Sequence, residues 1–232
     1  MKRTRAILAL LLLLTAPSAL ADDAERAARE AMVQTQIADR GIRDPVTLAA
    51  MRAVPRHRFV PQDLTASAYA DQPLPIGYGQ TISQPYIVAV MTETLRLKPG
   101  HKVLEIGAGS GYQAAVLARI VREVFTIEIV PELGNAARER LKTLGYRNVR
   151  VRVADGYDGW PEEAPFDAIV VTAAADHIPP PLIRQLRNGG RMVIPVGSPF
   201  FVQTLMLVEK DRGKVRTTSL MPVRFVPFRR SR

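Results

Sequence analysis

The chain has 232 residues, of which 47% are hydrophobic and 23% charged, a composition typical of a globular protein that buries its own core. It contains no cysteine, which excludes disulfide bonds, a thiolate nucleophile, cysteine-ligated zinc and iron–sulfur clusters. The 32 basic and 22 acidic residues give a net charge of +10, a balance that nucleic-acid-binding and membrane-binding proteins often have.

The first 21 residues have the layout of a secretory signal peptide. Basic residues at positions 2, 3 and 5 precede an uninterrupted apolar run, 6–14, and Ala19-Leu20-Ala21 has the A-x-A form of a cleavage site. The apolar run is shorter than the roughly 20 residues that span a bilayer, so we expect no stable membrane insertion. Cleavage after Ala21 would leave 211 residues with a charge of +7. The pattern therefore predicts a periplasmic or secreted protein.

The basic residues that remain after cleavage are spread along the chain. Only residues 224–232 have a high local density of basic side chains, with four arginines and no acidic residue. Scattered basic side chains are typical of a solvated surface and do not form the continuous basic stripe that nucleic-acid recognition needs. We therefore expect no nucleic-acid partner.

The N-terminal part of the chain is predicted to be helical, with one long loop. Strong helix formers over 23–39 end at Gly41, and Asp44-Pro45 has the residue types of the N-cap and first position of a helix. Residues 55–84 are rich in proline and glycine and indicate an ordered loop, and 85–95 return to helical spacing.

From Lys102 onward, short apolar runs alternate with stretches of helical spacing, which predicts a parallel sheet with helices on both faces. Two later runs around the turn at 211–214 predict a hairpin, and hence an antiparallel strand near the C-terminus. We expect a single domain over 22–232, with helices and a functional loop in 22–100 and the sheet in 101–232. The predicted strands are 103–106, 124–129, 149–153, 166–172, 191–196, 204–209 and 215–221.

A glycine-rich turn directly follows the first strand of this sheet. Gly107, Gly109 and Gly111 form G-x-G-x-G, whereas a dinucleotide-binding fingerprint needs G-x-G-x-x-G, and Tyr112 stands at that last position. Glu105 lies two residues before the first glycine, where a carboxylate would repel a pyrophosphate and suits a cation or an amine. S-adenosylmethionine (SAM) carries a sulfonium and an ammonium group and no phosphate, so it fits this motif.

Two more acids follow the next two strands. Glu128 ends the second strand, where a carboxylate can accept both ribose hydroxyls, and Asp155 follows the third, placed to accept from an adenine amino group. Acids at three consecutive strand ends beside the glycine turn predict a Rossmann-like, class I SAM-dependent methyltransferase. Its sheet would be seven-stranded and mostly parallel, and no metal is expected.

The loop before the sheet is the most specific motif of the chain. Residues 71–86 read D-Q-P-L-P-I-G-Y-G-Q-T-I-S-Q-P-Y, which closely resembles the signature of the protein-L-isoaspartate O-methyltransferases. The resemblance covers residues from about 30 to 228. It continues through V-L-E-I-G-A-G-S-G-Y at 103–112, D-G-Y-D-G-W at 155–160, A-P-F-D-A-I-V-V-T-A-A at 164–174, G-G-R-M-V-I-P-V-G at 189–197 and R-F-V-P at 224–227.

The resemblance implies repair of damaged proteins. Enzymes of this family use SAM to methylate the free α-carboxylate of L-isoaspartyl residues, and the ester then closes to a succinimide that can reopen to aspartate. The implied partners are isoaspartyl-containing proteins and peptides, and we expect a monomer. The family is mostly cytoplasmic, which is the alternative location if the leader is not a signal peptide.

The resemblance also implies the site residues, with Ser83 as the active-site residue and Thr81 and Ile82 bordering both cofactor and substrate. Gln203 aligns loosely, because S-P-F-F-V at 198–202 replaces a stretch that is polar in the family. The implied cofactor residues are Thr81, Ile82, Glu105, Gly107, Gly109, Glu128, Ile129, Asp155, Gly156 and Gln203.

The chemistry of carboxyl methylation agrees with the absence of an obvious general base. An α-carboxylate has a pKa near 3.5 and is already ionised at neutral pH, so Ser83 would orient the substrate and not attack it. Alternatively, Ser83 has a structural role and caps the helix that begins at Pro85. Two other functions stay open, a SAM-dependent methyltransferase for another acceptor and an exported SAM-binding protein without catalysis. The N-P-P-Y motif of amino-group methylation is absent at 172–174.

Overall fold

A computed structural model describes residues 17–198 and 200–231. The expected signal peptide, residues 1–21, therefore lies largely outside the described residues. The first helix, α1, begins at Pro17 and continues past the expected cleavage site after Ala21. No helix within the described ranges is both long and apolar enough to cross a bilayer.

The helices follow the predicted order along the chain. Asp44 caps α2 as expected, because its carboxylate accepts a hydrogen bond from the backbone N–H of Thr47 at 2.9 Å. The α-helices are α1 (Pro17–Ala31), α2 (Pro45–Ala53), α3 (Pro85–Thr94), α4 (Tyr112–Ala118), α5 (Pro131–Thr143) and α6 (Pro180–Gln185), and a π-helical stretch (Met32–Ala38) extends α1.

The described residues form nine strands in two sheets. A small hairpin pairs β1 (Leu74–Gly77) with β2 (Gln80–Ile82), and the other seven strands make the large sheet. The strands of the large sheet are β3 (Lys102–Ile106), β4 (Glu123–Glu128), β5 (Val149–Val153), β6 (Phe166–Val171), β7 (Leu186–Val196), β8 (Gln203–Asp211) and β9 (Lys214–Val223).

The large sheet has the order β5-β4-β3-β6-β7-β8-β9. Its first five strands are parallel, and β8 runs antiparallel to both of its neighbours, β7 and β9. The predicted mostly parallel sheet with an antiparallel strand near the C-terminus is confirmed.

Both faces of the sheet are covered, because successive side chains of a strand point to opposite sides. On β3, Val103 belongs to a core cluster that includes residues of α2, α3, α4 and the π-helical stretch, whereas Leu104 belongs to a second cluster that includes Leu182 of α6 and Trp160. Because both faces of the sheet are covered, a ligand site is expected along the edge at which the carboxyl ends of the parallel strands lie.

Two elements differ from their predicted limits. The loop predicted over 55–84 contains the hairpin β1–β2, whose turn places Tyr78 at φ 54° and which is too short to show a clear alternation of polar and apolar residues. Strand β7 starts at Leu186 and not at Arg191, because Leu186 pairs with Phe166 before an irregularity at the two glycines Gly189 and Gly190. Neither difference moves the edge of the sheet at which the candidate residues lie.

Candidate active site

The glycine turn packs closely against the residue that follows β6. Gly107 has φ 98°, and its N–H donates to the carbonyl oxygen of Ile127 at 2.8 Å. A Cβ at this position would lie 2.4 Å from Oγ1 of Thr172. Because both the left-handed backbone and the close approach exclude a side chain, glycine is required here.

Thr172 is a site residue that the sequence interpretation missed. Its hydroxyl donates to the carbonyl oxygen of Gly107 at 2.7 Å and fixes the turn against the end of β6. The signal was present, because residues just beyond the carboxyl end of a parallel strand are candidates for ligand binding. Thr172 follows β6 in the same way that Gly107 follows β3.

Glu128 is tied to the glycine turn by its carboxylate. Oε2 accepts from the backbone N–H of Gly109 at 2.7 Å, and Oε1 accepts from that of Val130 at 2.9 Å. Each carboxylate oxygen can accept more than one hydrogen bond, so the group remains able to bind hydroxyls. The role of Glu128 toward ribose stays a prediction.

A small cavity of about 40 Å³, called here the strand-end cavity, lies where β3, β4 and the Asp155–Gly156 turn meet. A Cβ on Gly156 would lie 2.4 Å from Cγ2 of Ile106, so this turn also packs closely against β3. The structure brings four of the predicted cofactor residues together around this cavity. They are Gly107, Glu128, Ile129 and Gly156.

Glu105 is fully buried beneath the glycine turn. Neither oxygen of its carboxyl group has a hydrogen-bond partner among the described residues. Burial, aided by the nearby carboxylate of Glu128 and opposed by Thr126 on the adjacent strand, raises the pKa of Glu105 to about 8. With a pKa of about 8, the carboxyl group is mostly protonated at neutral pH, and Glu105 lines neither small cavity, so its role toward a cationic ligand stays a prediction.

Asp155 is held by the C-terminal end of the chain. Its Oδ1 accepts from the N–H of Tyr157 at 2.9 Å, and its Oδ2 accepts from Nε of Arg230 at 2.9 Å and from the N–H of Ser231 at 2.8 Å. Partial burial raises the pKa of Asp155, but these hydrogen bonds outweigh the burial and hold the pKa below its ordinary value. The Arg230 guanidinium also lies 3.6 Å from the centre of the Tyr157 ring.

Residues 227–231, called here the C-terminal tail, cover the strand-end cavity. Pro227, Phe228 and Arg229 line it, and Nη2 of Arg229 donates to the carbonyl oxygen of Tyr78 in the β1–β2 turn at 3.1 Å. Arginines are dense in this segment, but the sequence alone assigned them no role. In the structure Arg229 and Arg230 are exposed, and their hydrogen bonds fasten the tail over the predicted cofactor residues.

Ser83 lies between the β1–β2 hairpin and α3. Its hydroxyl has no hydrogen-bond partner among the described residues, and the N-cap of α3 is Gln84, which makes no side-chain cap. The alternative that Ser83 caps this helix is therefore not observed. The hydroxyl is free to donate to a ligand.

Two cavities meet at Ser83. A large cleft of about 400 Å³ opens to solvent, and a smaller one of about 30 Å³, called here the glycine-turn cavity, lies against Gly107 and Gly109. Thr81, Ser83 and Thr172 line both. Ile82, which is buried and pairs with Leu74 in the hairpin, lines the glycine-turn cavity alone.

Gln203 is the predicted cofactor residue that the structure places elsewhere. Its side chain is buried, its Nε2 donates to the carbonyl oxygens of Ser198 and Phe201, and its Oε1 accepts from the N–H of Phe225. It lines neither of the two small cavities. These contacts hold a surface loop, and they leave the assignment to the cofactor as a prediction from the alignment alone.

Within the part of the chain that the structure describes, no group of three or more His, Asp or Glu side chains is arranged to hold a metal ion. The donors around the cavities are single carboxylates, hydroxyls and backbone groups. They fit a ligand with hydroxyl and cationic groups, such as SAM.

Comparisons with known proteins agree with this geometry. Residues 27–232 match the family model described as protein-L-isoaspartate(D-aspartate) O-methyltransferase. A curated protein-L-isoaspartate O-methyltransferase of Opitutus terrae is 57% identical over the full length of both chains. Protein-L-isoaspartate O-methyltransferase 2 of a Polaromonas species is 65% identical over 186 residues, which are 80% of this chain and 88% of the relative.

A solved structure from Plasmodium falciparum has the same fold. It is described as a putative protein-L-isoaspartate O-methyltransferase in complex with S-adenosyl-L-homocysteine, and its TM-score with this chain is 0.76 at 27% identity. The match covers 87% of this chain and 98% of that one. With the family model, the relatives and the fold in agreement, this chain belongs to the protein-L-isoaspartate O-methyltransferase family of SAM-dependent enzymes.

Proposed function

We propose that this chain transfers a methyl group from SAM to the free α-carboxylate of L-isoaspartyl residues in damaged proteins and peptides. The observation that carries the proposal is the meeting of the open cleft with the glycine-turn cavity at Thr81, Ser83 and Thr172. A methyl donor on the glycine turn and a polypeptide acceptor in the cleft would approach each other at these three hydroxyls.

The cleft suits an anionic acceptor. Arg224 lines it and brings positive charge, and so does Arg40, whose guanidinium also pairs with Asp71 at 3.0 Å. The donor supplies an electrophilic methyl group on its sulfonium, and the carboxylate oxygen forms the new bond as the carbon–sulfur bond breaks. Because the acceptor is already ionised, the protein needs to align it and does not need to remove a proton.

Ser83 is proposed to do the aligning. Its free hydroxyl can donate to one carboxylate oxygen and leave the other directed at the methyl group. A hydrogen bond to a charged group contributes about 1.5–3 kcal/mol, which is enough to select one orientation of the acceptor. Thr81 lines the same junction and is exposed to the cleft.

The cofactor is proposed to lie along the carboxyl edge of the sheet. Glu128 would accept the ribose hydroxyls, Asp155 would accept the adenine amino group, and the acid of Glu105 would face the cationic end from beneath the turn. Glu128 lines the strand-end cavity, and Asp155 precedes Gly156, which lines it as well. Both carboxylates keep lone pairs beyond the hydrogen bonds described above.

The test is a methylation assay with isotope-labelled SAM and two peptides that differ only in containing L-isoaspartate or L-aspartate at one position. We expect label on the isoaspartyl peptide alone, and we expect alkali to release it as methanol, as a methyl ester requires. Label on both peptides would support the alternative of another acceptor. Binding of SAM with label on neither peptide would support the alternative of a non-catalytic binding protein.

We also propose that the chain is exported with residues 1–21 as a signal peptide. The proposal is supported by the basic start, the apolar run over 6–14 and the Ala19-Leu20-Ala21 sequence. The test is N-terminal sequencing of the protein from separated periplasmic and cytoplasmic fractions. A periplasmic protein that begins at Asp22 is expected, and a cytoplasmic protein that keeps residues 1–21 would contradict export.

A further inference from the structure

Three consecutive apolar side chains project from the loop between β7 and β8. Phe200 is 89% exposed, Phe201 74% and Val202 53%. Single exposed apolar residues are common, but contiguous ones, and aromatic ones above all, mark binding surfaces. These three residues are called here the aromatic loop.

The aromatic loop is held in place by buried hydrogen bonds. The amide nitrogen of Gln203 donates to the carbonyl oxygens of Ser198 at 3.1 Å and Phe201 at 2.9 Å, and the N–H of Phe201 donates to the same Ser198 oxygen. Gln203 is only 2% exposed, and its Oε1 accepts from the N–H of Phe225 at 2.8 Å. This buried amide joins the loop to Phe225, which follows the end of β9, so hydrogen bonds hold the backbone of the exposed phenylalanines in place.

The aromatic loop is continuous with the open cleft. Val202 lines the cleft together with Ser83, and so does Phe225, the residue that Gln203 binds. Phe200 and Phe201 do not line the cleft, but they directly precede Val202 in the chain, so we infer that they lie at the rim of the cleft in which the acceptor carboxylate is proposed to bind.

We propose that the aromatic loop binds apolar side chains that flank the isoaspartyl residue in the substrate polypeptide. This inference rests on the proposed function. An extended polypeptide advances about 3.3 Å per residue, so neighbours of the reacting residue have to pass the rim of the cleft. Native proteins bury most of their apolar side chains, so the loop would favour damage sites in unfolded, apolar segments.

Two other occupants are disfavoured by the surroundings of the loop. Residues 197–204, Gly-Ser-Pro-Phe-Phe-Val-Gln-Thr, contain no lysine or arginine of their own, whereas membrane-surface segments pair their apolar residues with basic ones. The basic residues Arg40 and Arg224 line the cleft, where an anionic acceptor is proposed to bind. A stable interface with a second copy would bury roughly 800 Å² on each partner, far more than three side chains provide.

The experiment compares two isoaspartyl peptides. One carries Leu and Phe at the second and third positions on either side of the isoaspartyl residue, and the other carries Ser and Gly at those positions. We expect the full-length protein to have a roughly tenfold lower KM for the apolar peptide. The double variant Phe200→Ser/Phe201→Ser should bring the KM of the apolar peptide close to that of the polar one, with the KM for SAM within twofold of the original.

Val215→Ser is the matched control, because Val215 is also an exposed apolar residue but lies on β9 beside the turn to β8. It should keep the tenfold preference. A double variant that keeps the preference, or an original protein without one, would overturn the inference while leaving methylation of isoaspartyl peptides in place. Methylation of neither peptide by the original protein would instead count against the proposed function.

Two further measurements on the double variant would overturn the inference if either changed while the preference for the apolar peptide stayed the same. One is binding to vesicles of phosphatidylglycerol and phosphatidylcholine, whose loss in the double variant would assign the loop to a lipid surface. The other is the mass in solution, whose halving in the double variant would assign the loop to a second copy of the chain.

Discussion

Ser83 has a free hydroxyl at the junction of the open cleft and the glycine-turn cavity. We predict that Ser83→Ala lowers kcat/KM for an isoaspartyl peptide by roughly 10- to 100-fold, the loss of one hydrogen bond to a charged group. Affinity for SAM, measured by calorimetry, should stay within a few-fold. Ser219→Ala, at an exposed serine of β9, is the control and should change neither value. Loss of SAM binding by a folded Ser83→Ala protein would contradict the role proposed for this residue.

Glu105 predicts a pH dependence of stability. Its pKa is about 8 in the folded protein and ordinarily 4.5, so between these values the folded protein holds a proton that the unfolded chain has lost. Stability is therefore lost as the pH rises through this window. Glu105→Gln cannot ionise, so the melting temperature of the variant relative to the original protein should rise from pH 5 to pH 8, as followed by circular dichroism.

The control for this measurement is Glu132→Gln, because Glu132 is exposed in the first turn of α5. Its effect on the melting temperature should not vary systematically over the same pH range. A difference between the Glu105→Gln variant and the original protein that stays constant with pH would contradict the raised pKa.

At the scale of elements, the C-terminal tail controls how much room the cofactor residues leave for a ligand. The strand-end cavity beneath it measures about 40 Å³, whereas ligand pockets are usually 300 Å³ or more. The tail is fastened through Arg230 and Ser231 to Asp155 and through Arg229 to Tyr78. A molecule as large as SAM does not fit a cavity of this size, so we expect the tail to move when SAM binds there.

Truncation after Phe228 removes these fastenings. We predict that the truncated protein binds SAM with an association rate constant at least several-fold higher, as measured by stopped-flow fluorescence of Trp160. Arg230→Ala should give an intermediate rate, and Arg216→Ala on the exposed face of β9 should leave the rate unchanged. An unaltered association rate in the truncated protein would show that the tail does not limit entry.

The positions of helices and strands could be predicted where a local sequence pattern marks them. The five parallel strands and α2 with its Asp44 cap follow from apolar periodicity and capping residues. The β1–β2 hairpin was not predictable in this way, because strands of four and three residues are too short to show an alternation of polar and apolar side chains. Its pairing depends on contacts such as the packing of Ile82 and Leu74 into the core beneath the sheet.

At the scale of the whole molecule, the two edge strands of the large sheet bear on association. They are β5, which exposes Arg150, and β9, whose exposed residues include Lys214, Arg216 and Thr217. Charged and polar side chains on an edge strand discourage pairing with another chain. We predict a monomer in sedimentation velocity experiments, with a mass that does not depend on concentration. A dimer that persists on dilution would contradict this.

The sequence by itself determined the class of fold and the family resemblance, and it predicted which residues lie at the cofactor edge. These depend on strand and helix periodicity, on glycines that only a tight turn requires, and on a loop motif read as consecutive residues. Gly107, Glu128 and Gly156 could be assigned to one edge because the carboxyl ends of parallel strands converge.

Only the tertiary structure decided which distant groups meet at that edge. Asp155 binds Arg230 across 75 positions of the chain, Thr172 reaches back 65 positions to Gly107, and Gln203 braces the aromatic loop against Phe225. The burial that raises the pKa of Glu105 likewise comes from elements packed around it. Local patterns carry no information about such contacts, because they arise only when the sheet brings its strand ends, its loops and the C-terminal tail to one place.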